Sequence, residues 1–118
     1  MPGAPLEWIP LDLNDLASVK QFAQTFNSKY DHIDILLNNA GIMALPERET
    51  TAQGFEKQIG VNHLGHFLLT TLLMDKIKAS QEARIINVSS LAHTMGANRL
   101  DFDDLMCEKK YVPWDAYM

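Results

Sequence analysis

Three short apolar runs alternate with two amphipathic segments along the chain. The runs cover residues 6–13, 33–39 and 83–90, and their lengths and nearly continuous apolar character predict strands buried on both faces of a parallel sheet. Pro10 indicates an interruption in the hydrogen bonding of the first strand. Strands that alternate with helices predict an α/β fold with a doubly wound sheet.

Apolar residues spaced three and four apart predict the two helices between these strands. The first carries Leu16, Val19, Phe22, Ala23 and Phe26 and should begin at a cap formed by Asn14 or Asp15. The second should run from Thr51 to about Ala79, whereas residues 91–118 look like a polar loop region. Ligands bind at the carboxyl ends of the strands in such folds. The predicted site therefore combines 12–13, 38–41 and 89–90.

Composition and charge narrow the function classes. With 118 residues, 47% hydrophobic and 21% charged, the chain fits one globular domain. Its net charge of −5 and lack of a basic cluster argue against nucleic-acid binding. Residues 1–10 lack the pattern of a signal peptide, and no apolar run reaches the ~20 residues of a membrane span. The single cysteine, Cys107, favours an intracellular location: cytoplasmic, or the endoplasmic reticulum membrane if an N-terminal anchor precedes the chain.

Two histidines on the second helix raise the question of a metal site. His63 and His66 are three residues apart, but zinc needs a third and usually a fourth ligand. No convincing further ligand is found. We therefore expect both histidines on the helix surface and no metal.

Four motifs follow one another in a characteristic order. They are Asn38-Asn39-Ala40-Gly41, Val61-Asn62, Asn87-Val88-Ser89-Ser90, and Tyr117. This order resembles that of the short-chain dehydrogenases/reductases over essentially the whole chain. The stretches VNHLGHFLLT and RIINVSSLAH are most similar to the retinol dehydrogenase-like branch, which includes the WW-domain oxidoreductase.

The resemblance implies catalytic roles for Ser90, Tyr117 and Asn62. A Ser90 hydroxyl would polarise a substrate carbonyl, and Ser89 is the competing candidate. Tyr117 would be the general acid/base. Asn62 would accompany a helix kink and hold a water of the proton relay; otherwise it is a core amide satisfied by the helix backbone.

The resemblance also implies a nicotinamide cofactor, with NADP favoured over NAD. The implied contacts are Asp12 and Leu13 at the adenine, with the strand end Asn39, Ala40 and Gly41 along the adenosine half. Val61 is a further implied contact. The insertion that contains Phe102, Leu105, Tyr111 and Trp114 should form part of the substrate wall.

Two elements of the family pattern are not found in these residues. No Gly-rich turn for pyrophosphate precedes Gly41, and the chain stops before a lysine four residues after Tyr117. We therefore expect residues 1–118 to be the central part of one NAD(P)-binding Rossmann domain. In the family's strand order, 3-2-1-4-5, two strands would separate the first predicted strand from the second, and their absence from these residues would leave a gap in the sheet.

The expected parent is an oxidoreductase that interconverts a small apolar alcohol with its aldehyde or ketone, and a homo-oligomeric parent stays open. The alternative is a truncated, catalytically inactive family member that acts only as a binding protein. A sugar-nucleotide epimerase of the related extended family fits less well, because Asn38–Gly41 and Asn62 favour the shorter enzymes.

Overall fold

A computed structural model describes residue 3, residues 5–95 and residues 100–118. Parts of the predicted start (1, 2 and 4) and of the predicted polar loop (96–99) lie outside the described residues. In chain order the elements are α1 (Leu16–Lys29), β1 (Ile35–Asn38), α2 (Lys57–Ile59), a π-helical segment (Gly60–Gly65), α3 (His66–Leu72), α4 (Met74–Lys78), β2 (Arg84–Asn87), a 3₁₀ turn (Leu91–Thr94) and α5 (Pro113–Tyr117).

Helix α1 begins where the sequence predicts. Asp15 is its N-cap and accepts a hydrogen bond from the Ala17 amide at 2.9 Å. The Gln53 amide donates to the same carboxylate oxygen at 2.8 Å. This hydrogen bond and the one from Ala17 lower the pKa of Asp15 below its usual value. The carboxylate therefore stays ionised and keeps the first turn of α1 capped.

Strands β1 and β2 form a parallel pair. Ile35 lies opposite Arg84 and Asn38 opposite Asn87, so both strands end at the same edge of the sheet. The prediction that these strands are buried on both faces is wrong for the described chain. Ile35 and Leu37 are 63% and 55% exposed, and all four residues of β2 are exposed. No described element covers the side chains of Ile35 and Leu37 on β1 or the apolar side chains of β2.

The prediction of a strand over residues 6–13 is also wrong, because the described segment has no strand. A strand needs a neighbour that receives its backbone hydrogen bonds, and none of the described residues supplies one. Leu6 and Trp8 are almost fully exposed. Near its start the segment is held by side chains, with Glu7 contacting Lys29 and Tyr30. The described sheet therefore has two strands rather than three.

The second predicted helix begins later than expected and is not uniformly α-helical. Residues 50–56 form a tight reversal, in which the Thr51 amide donates to the Phe55 carbonyl at 2.8 Å and Gly54 has φ +87°. The helix therefore starts at Lys57, with Glu56 as its N-cap. Around Asn62 the helix widens into six π-helical residues, and Leu73 separates α3 from α4. The π segment lies at the position where the resemblance implied a kink.

The hydrophobic core lies mainly between helices. It contains Leu13, Val19, Ala23, Ile33, Val61, Leu69, Leu73 and Ile77. Gly65 allows close packing there, because a Cβ at this position would lie 2.9 Å from the Leu13 carbonyl oxygen. The Cα radius of gyration is 16.2 Å, whereas a compact domain of this length has roughly 13.5 Å. Among the described helices, none has the length and hydropathy required to cross a bilayer.

Candidate active site

An open cleft of about 730 Å³ lies at the carboxyl ends of β1 and β2. Its walls include three predicted catalytic residues, Asn62, Ser90 and Tyr117, and the predicted cofactor residues Asn39, Ala40 and Gly41. These residues come from four separate stretches of the chain. The convergence expected from strand ends therefore holds for 38–41 and 89–90.

Asn62 holds the backbone that follows β1. Its Oδ1 accepts from the Ile42 amide at 2.8 Å, and its Nδ2 donates to the Ile42 carbonyl at 2.8 Å. The partner is thus the segment after β1 and not the helix backbone. Because both functional groups of the amide are engaged, Asn62 fixes this wall of the cleft.

Ser90 is half-buried and ends the extended stretch after β2. Its Oγ accepts from the Ala92 amide at 3.1 Å and so caps the 3₁₀ turn. Since a hydroxyl that accepts still has its own proton to donate, Ser90 can present that proton to a ligand in the cleft. Ser89 also lines the cleft but is more exposed.

Tyr117 is the last residue of α5, a short helix that sequence periodicity did not reveal. Pro113 occupies its first turn, and Val112 precedes it in extended conformation. The Trp114 and Tyr117 rings meet edge to face, with centroids 6.2 Å apart. Pro113 followed by the acidic Asp115 was the available signal for this helix start. The predicted loop region thus contains both α5 and the 3₁₀ turn.

Asn38 ties the sheet to the helix above it. Its Nδ2 donates to Asn87 Oδ1 at 2.8 Å and to Thr70 Oγ1 at 3.0 Å. Asn38 therefore links the end of β1 both to β2 and to α3. Its Oδ1 is buried beside the cleft without a hydrogen-bond partner among the described residues, and such a group gains from a ligand donor.

The remaining predicted cofactor residues do not line this cleft. Leu13 and Val61 are buried in the core. Asp12 is exposed, and its Oδ1 accepts from the Asn14 amide at 2.9 Å. Their cofactor contacts stay predictions.

The residues present fit one part of a nicotinamide dinucleotide. Asn39, Ala40 and Gly41 form an exposed rim with open space above Gly41, where an added Cβ would meet only the Asn62 side chain at 3.5 Å. The unpartnered Asn38 oxygen adds an acceptor. This rim and Tyr117 would hold such a group, which supplies a hydride when bound.

A second hollow of about 760 Å³ adjoins the cleft and shares Asn62, His63 and Tyr117 with it. Leu100, Leu105, Val112 and Ala116 give it apolar lining, next to Asp101, Asp104 and Asp115. Leu105 thus lies where a substrate wall was predicted. Phe102 and Trp114 are exposed and do not line the hollow.

His66 departs from the sequence-based expectation. It is buried, and its Nδ1 lies 3.0 Å from the Asn62 carbonyl oxygen. The helix-surface prediction is wrong for this residue, which is the first of α3 and lies at the wall of the cleft; His63 is exposed. Within the described ranges, no three potential ligands are grouped so that they could hold a metal ion.

Three groups beside the second hollow have shifted pKa values. Burial and the Glu56 carboxylate raise the pKa of Cys107 and that of Tyr111. Although burial opposes it, hydrogen bonds from the Lys109, Glu108 and Lys110 amides lower the pKa of Asp104. The thiol and the phenol therefore stay protonated at neutral pH, and the Asp104 carboxylate organises its own loop.

A model of the short chain dehydrogenase family matches residues 3–101 of this sequence. The chain belongs to this family. The matched range includes the cleft residues on β1, the π segment and β2, and the predicted resemblance is thereby confirmed.

Curated relatives place the chain within the family. It is 55% identical to human retinol dehydrogenase 13 over 108 residues, which are 91% of this chain and 32% of that protein. Human retinol dehydrogenase 11 is 52% identical over 107 residues, with 91% and 33% covered. Human polyprenol dehydrogenase is 42% identical over 116 residues, with 95% and 34% covered. This chain thus spans about one third of the length of these relatives.

Solved structures agree with the fold. An uncharacterised protein from Mycobacterium paratuberculosis superimposes with a TM-score of 0.74 at 45% identity, covering 91% of this chain and 36% of that one. A protein from Escherichia coli CFT073, assigned to the short chain dehydrogenases and complexed with NADPH, gives a TM-score of 0.63 at 25% identity, covering 93% and 42%. The described elements are therefore a partial Rossmann fold.

Proposed function

We propose that the full-length protein is an NADP-dependent oxidoreductase that interconverts an apolar alcohol with its aldehyde or ketone. The observation that carries this proposal is the meeting of Ser90, Tyr117 and the rim 39–41 in one cleft of a short chain dehydrogenase. The retinol and polyprenol dehydrogenase relatives support an apolar substrate. The NADPH complex of the Escherichia coli protein supports NADP.

The chain's own residues account for the polar half of the reaction. With its acceptor side fixed by the Ala92 amide, the Ser90 hydroxyl donates a hydrogen bond to the substrate carbonyl oxygen. The Tyr117 phenol gives its proton to that oxygen as the alcohol forms and takes it back in the reverse direction. NADPH held along the rim 39–41 would supply the hydride for the carbonyl carbon. Asn62 fixes the cleft wall at Ile42 through two hydrogen bonds. The surface that faces the Ser90 and Tyr117 hydroxyl groups therefore keeps its position.

The adjoining hollow supports the choice of substrate class. Its lining by Leu100, Leu105, Val112 and Ala116 gives the apolar part of an aldehyde a surface next to Tyr117. Polar small aldehydes would gain little from these side chains. We therefore propose long apolar aldehydes as the better substrates.

The test is a steady-state assay of the full-length protein with all-trans-retinal, a long-chain aliphatic aldehyde and a short polar aldehyde, each with NADPH and with NADH. We expect the highest kcat/KM with an apolar aldehyde and NADPH. A protein that folds cooperatively yet oxidises neither cofactor with any of the three aldehydes would contradict the proposal.

A further inference from the structure

A buried amide side chain, Gln58, joins three segments that surround the cleft. Only 1% of its surface is exposed. Its Oε1 accepts from the Ala44 amide at 2.7 Å, and its Nε2 donates to the Tyr111 hydroxyl at 3.1 Å and to the Pro113 carbonyl at 3.2 Å. An amide has two N–H donors and one carbonyl, so every polar group of Gln58 is engaged.

Tyr111 also links this hydrogen-bond network to the segment after β1. Its hydroxyl accepts from Gln58 and donates to the Leu45 carbonyl at 2.9 Å. The raised pKa of Tyr111, caused by burial and by the Glu56 carboxylate, keeps the phenol protonated at neutral pH. Residues 44 and 45 are thus held from two directions.

The segment that is held includes a backbone conformation rare for an L-residue. Ala44 has φ +49°, in the left-handed region that side chains disfavour. Such conformations persist where surrounding contacts determine them. The Gln58 Oε1 bond to the Ala44 amide is one of those contacts.

The other end of the network reaches the helix that carries Tyr117. Pro113 is the first residue of α5 and Tyr117 the last. The helix has five residues and no side-chain cap, and no residue of it is fully buried. Its position therefore depends on contacts from outside the helix, and the Gln58 bond to the Pro113 carbonyl is such a contact.

Gln58 and Asn62 both hold the segment after β1, and Gln58 also contacts α5. They are four residues apart, and they hold the segment after β1 at Ala44 and at Ile42 respectively. Gln58 alone also holds α5. Gln58 therefore links the helix of Tyr117 directly to the segment after β1, beside the Tyr111–Leu45 hydrogen bond that joins the same two regions.

We propose that Gln58 is a positioning residue, which holds the helix of the proton donor Tyr117 against residues 42–45, the segment after β1 whose first two residues, Ile42 and Met43, line the cleft. Its catalytic consequence rests on the proposed function. A displacement of a catalytic group by about 1 Å can slow a reaction greatly. Loss of the Gln58 link displaces Tyr117 and therefore slows turnover, although no group that contacts the substrate is removed.

The test compares Gln58→Leu, Gln58→Glu and Tyr111→Phe in the full-length protein. Gln58→Leu removes all three hydrogen bonds, Gln58→Glu keeps the acceptor for Ala44, and Tyr111→Phe removes one hydroxyl from the network. Gln24→Leu is the matched control, since Gln24 is exposed on α1. kcat and KM are measured with NADPH and an apolar aldehyde. The protein is also labelled with 5-fluorotryptophan, and the ¹⁹F signal of Trp114 in α5 is assigned with Trp114→Phe.

We expect Gln58→Leu to lower kcat on the order of 10-fold or more, with a KM for NADPH within about 2-fold of wild type, since the rim 39–41 is unchanged. The Trp114 signal should shift or broaden in Gln58→Leu, less in Tyr111→Phe, and not in Gln24→Leu. If Gln58→Leu fails to fold, Gln58→Glu and Tyr111→Phe give the same comparison.

A lowered melting temperature with unchanged kcat and an unchanged Trp114 signal would overturn the proposal, because Gln58 would then only stabilise the core. If the wild-type protein reduces no aldehyde, the proposed function fails by itself. The Trp114 signal then still decides whether Gln58 positions α5, and an unchanged signal in the folded variants rejects it.

Discussion

Asn62 and Ile42 are joined by two hydrogen bonds of 2.8 Å each, one to the amide and one to the carbonyl of the same residue. The link connects the π segment to the backbone that leaves β1. Because the strand has ended, Ile42 has no neighbouring strand, and the Asn62 side chain takes that place. Asn62, a polar residue on an otherwise apolar helix face, thus holds the backbone that follows β1. We call this pair of hydrogen bonds the Asn62 clamp.

Replacing Asn62 with Leu should leave both Ile42 groups without a protein partner. Since a part-buried group that loses its partner costs about 1–3 kcal/mol, we expect a decrease of that size in the free energy of unfolding of the full-length protein. Asn27→Leu is the control, because its side chain makes an exposed bond to the Leu72 carbonyl and should change stability by less than about 0.5 kcal/mol. Equal losses in urea denaturation of the two variants would contradict the clamp.

Ala44 offers a test of backbone strain at one position. Its φ of +49° favours glycine, so Ala44→Gly should be nearly neutral: relief of strain offsets the greater freedom of the unfolded chain, about 0.4–1 kcal/mol. Ala44→Val should destabilise by about 1 kcal/mol or more, since a β-branched side chain is disfavoured there. Differential scanning calorimetry of the full-length variants distinguishes the two. If Ala44→Val melts with or above Ala44→Gly, the assigned conformation is wrong.

Asp15 predicts a specific pH dependence. Its pKa in the folded protein lies below its usual value of 3.8, through hydrogen bonds from Gln53 and Ala17. The stabilisation is therefore fully present above that usual value and is lost as the pH falls through the lower, folded-state value. Asn also caps helices but does not titrate. The difference in melting temperature between wild type and Asp15→Asn should thus be constant from pH 7 to pH 5 and become smaller below pH 3.8. A difference that stays unchanged in that acidic range would show that the Asp15 carboxylate does not contribute in this way.

The isolated 118-residue chain should lack a cooperative fold. The strands expose Ile35, Leu37, Ile85 and Ile86, residues 6–13 form no strand, and the radius of gyration exceeds that of a compact domain. We expect binding of the dye ANS, a broad thermal transition and no dehydrogenase activity from this polypeptide. A sharp calorimetric transition together with dispersed amide NMR signals from the monomeric chain would show that the described contacts suffice.

Local signals in the sequence predicted those elements whose determinants are local. Asp15 and the apolar spacing after it predict α1, and the runs 33–39 and 83–90 predict β1 and β2, which end at Asn38 and Asn87. The run 6–13 carries the same kind of pattern, yet it forms no strand, because pairing depends on a neighbour that no local pattern reports. The start of the second helix was misplaced for a related reason: Gly54 and the reversal at 50–56 override an apolar spacing that continues through Phe55.

The site was predictable where a motif marks it and not where tertiary contacts create it. Ser90, Asn62 and Tyr117 were selected from motif order, and all three line one cleft. Gln58 was missed, although its spacing of four residues from Asn62 on the same helix was a usable signal. The π segment and the burial of His66 follow from packing, which periodicity of 3.6 residues does not encode.

The central claim is that Tyr117 is the proton donor of a dehydrogenase reaction, and the most direct measurement is kcat for Tyr117→Phe in the full-length protein. The substitution keeps the ring and its edge-to-face contact with Trp114 while it removes the proton. Tyr30→Phe is the matched control, because the Tyr30 hydroxyl contacts Glu7 beside α1, and Tyr30 does not line the cleft. The account predicts a loss of ~10²-fold or more in kcat for Tyr117→Phe and little change for Tyr30→Phe. Near-normal turnover by Tyr117→Phe would contradict it.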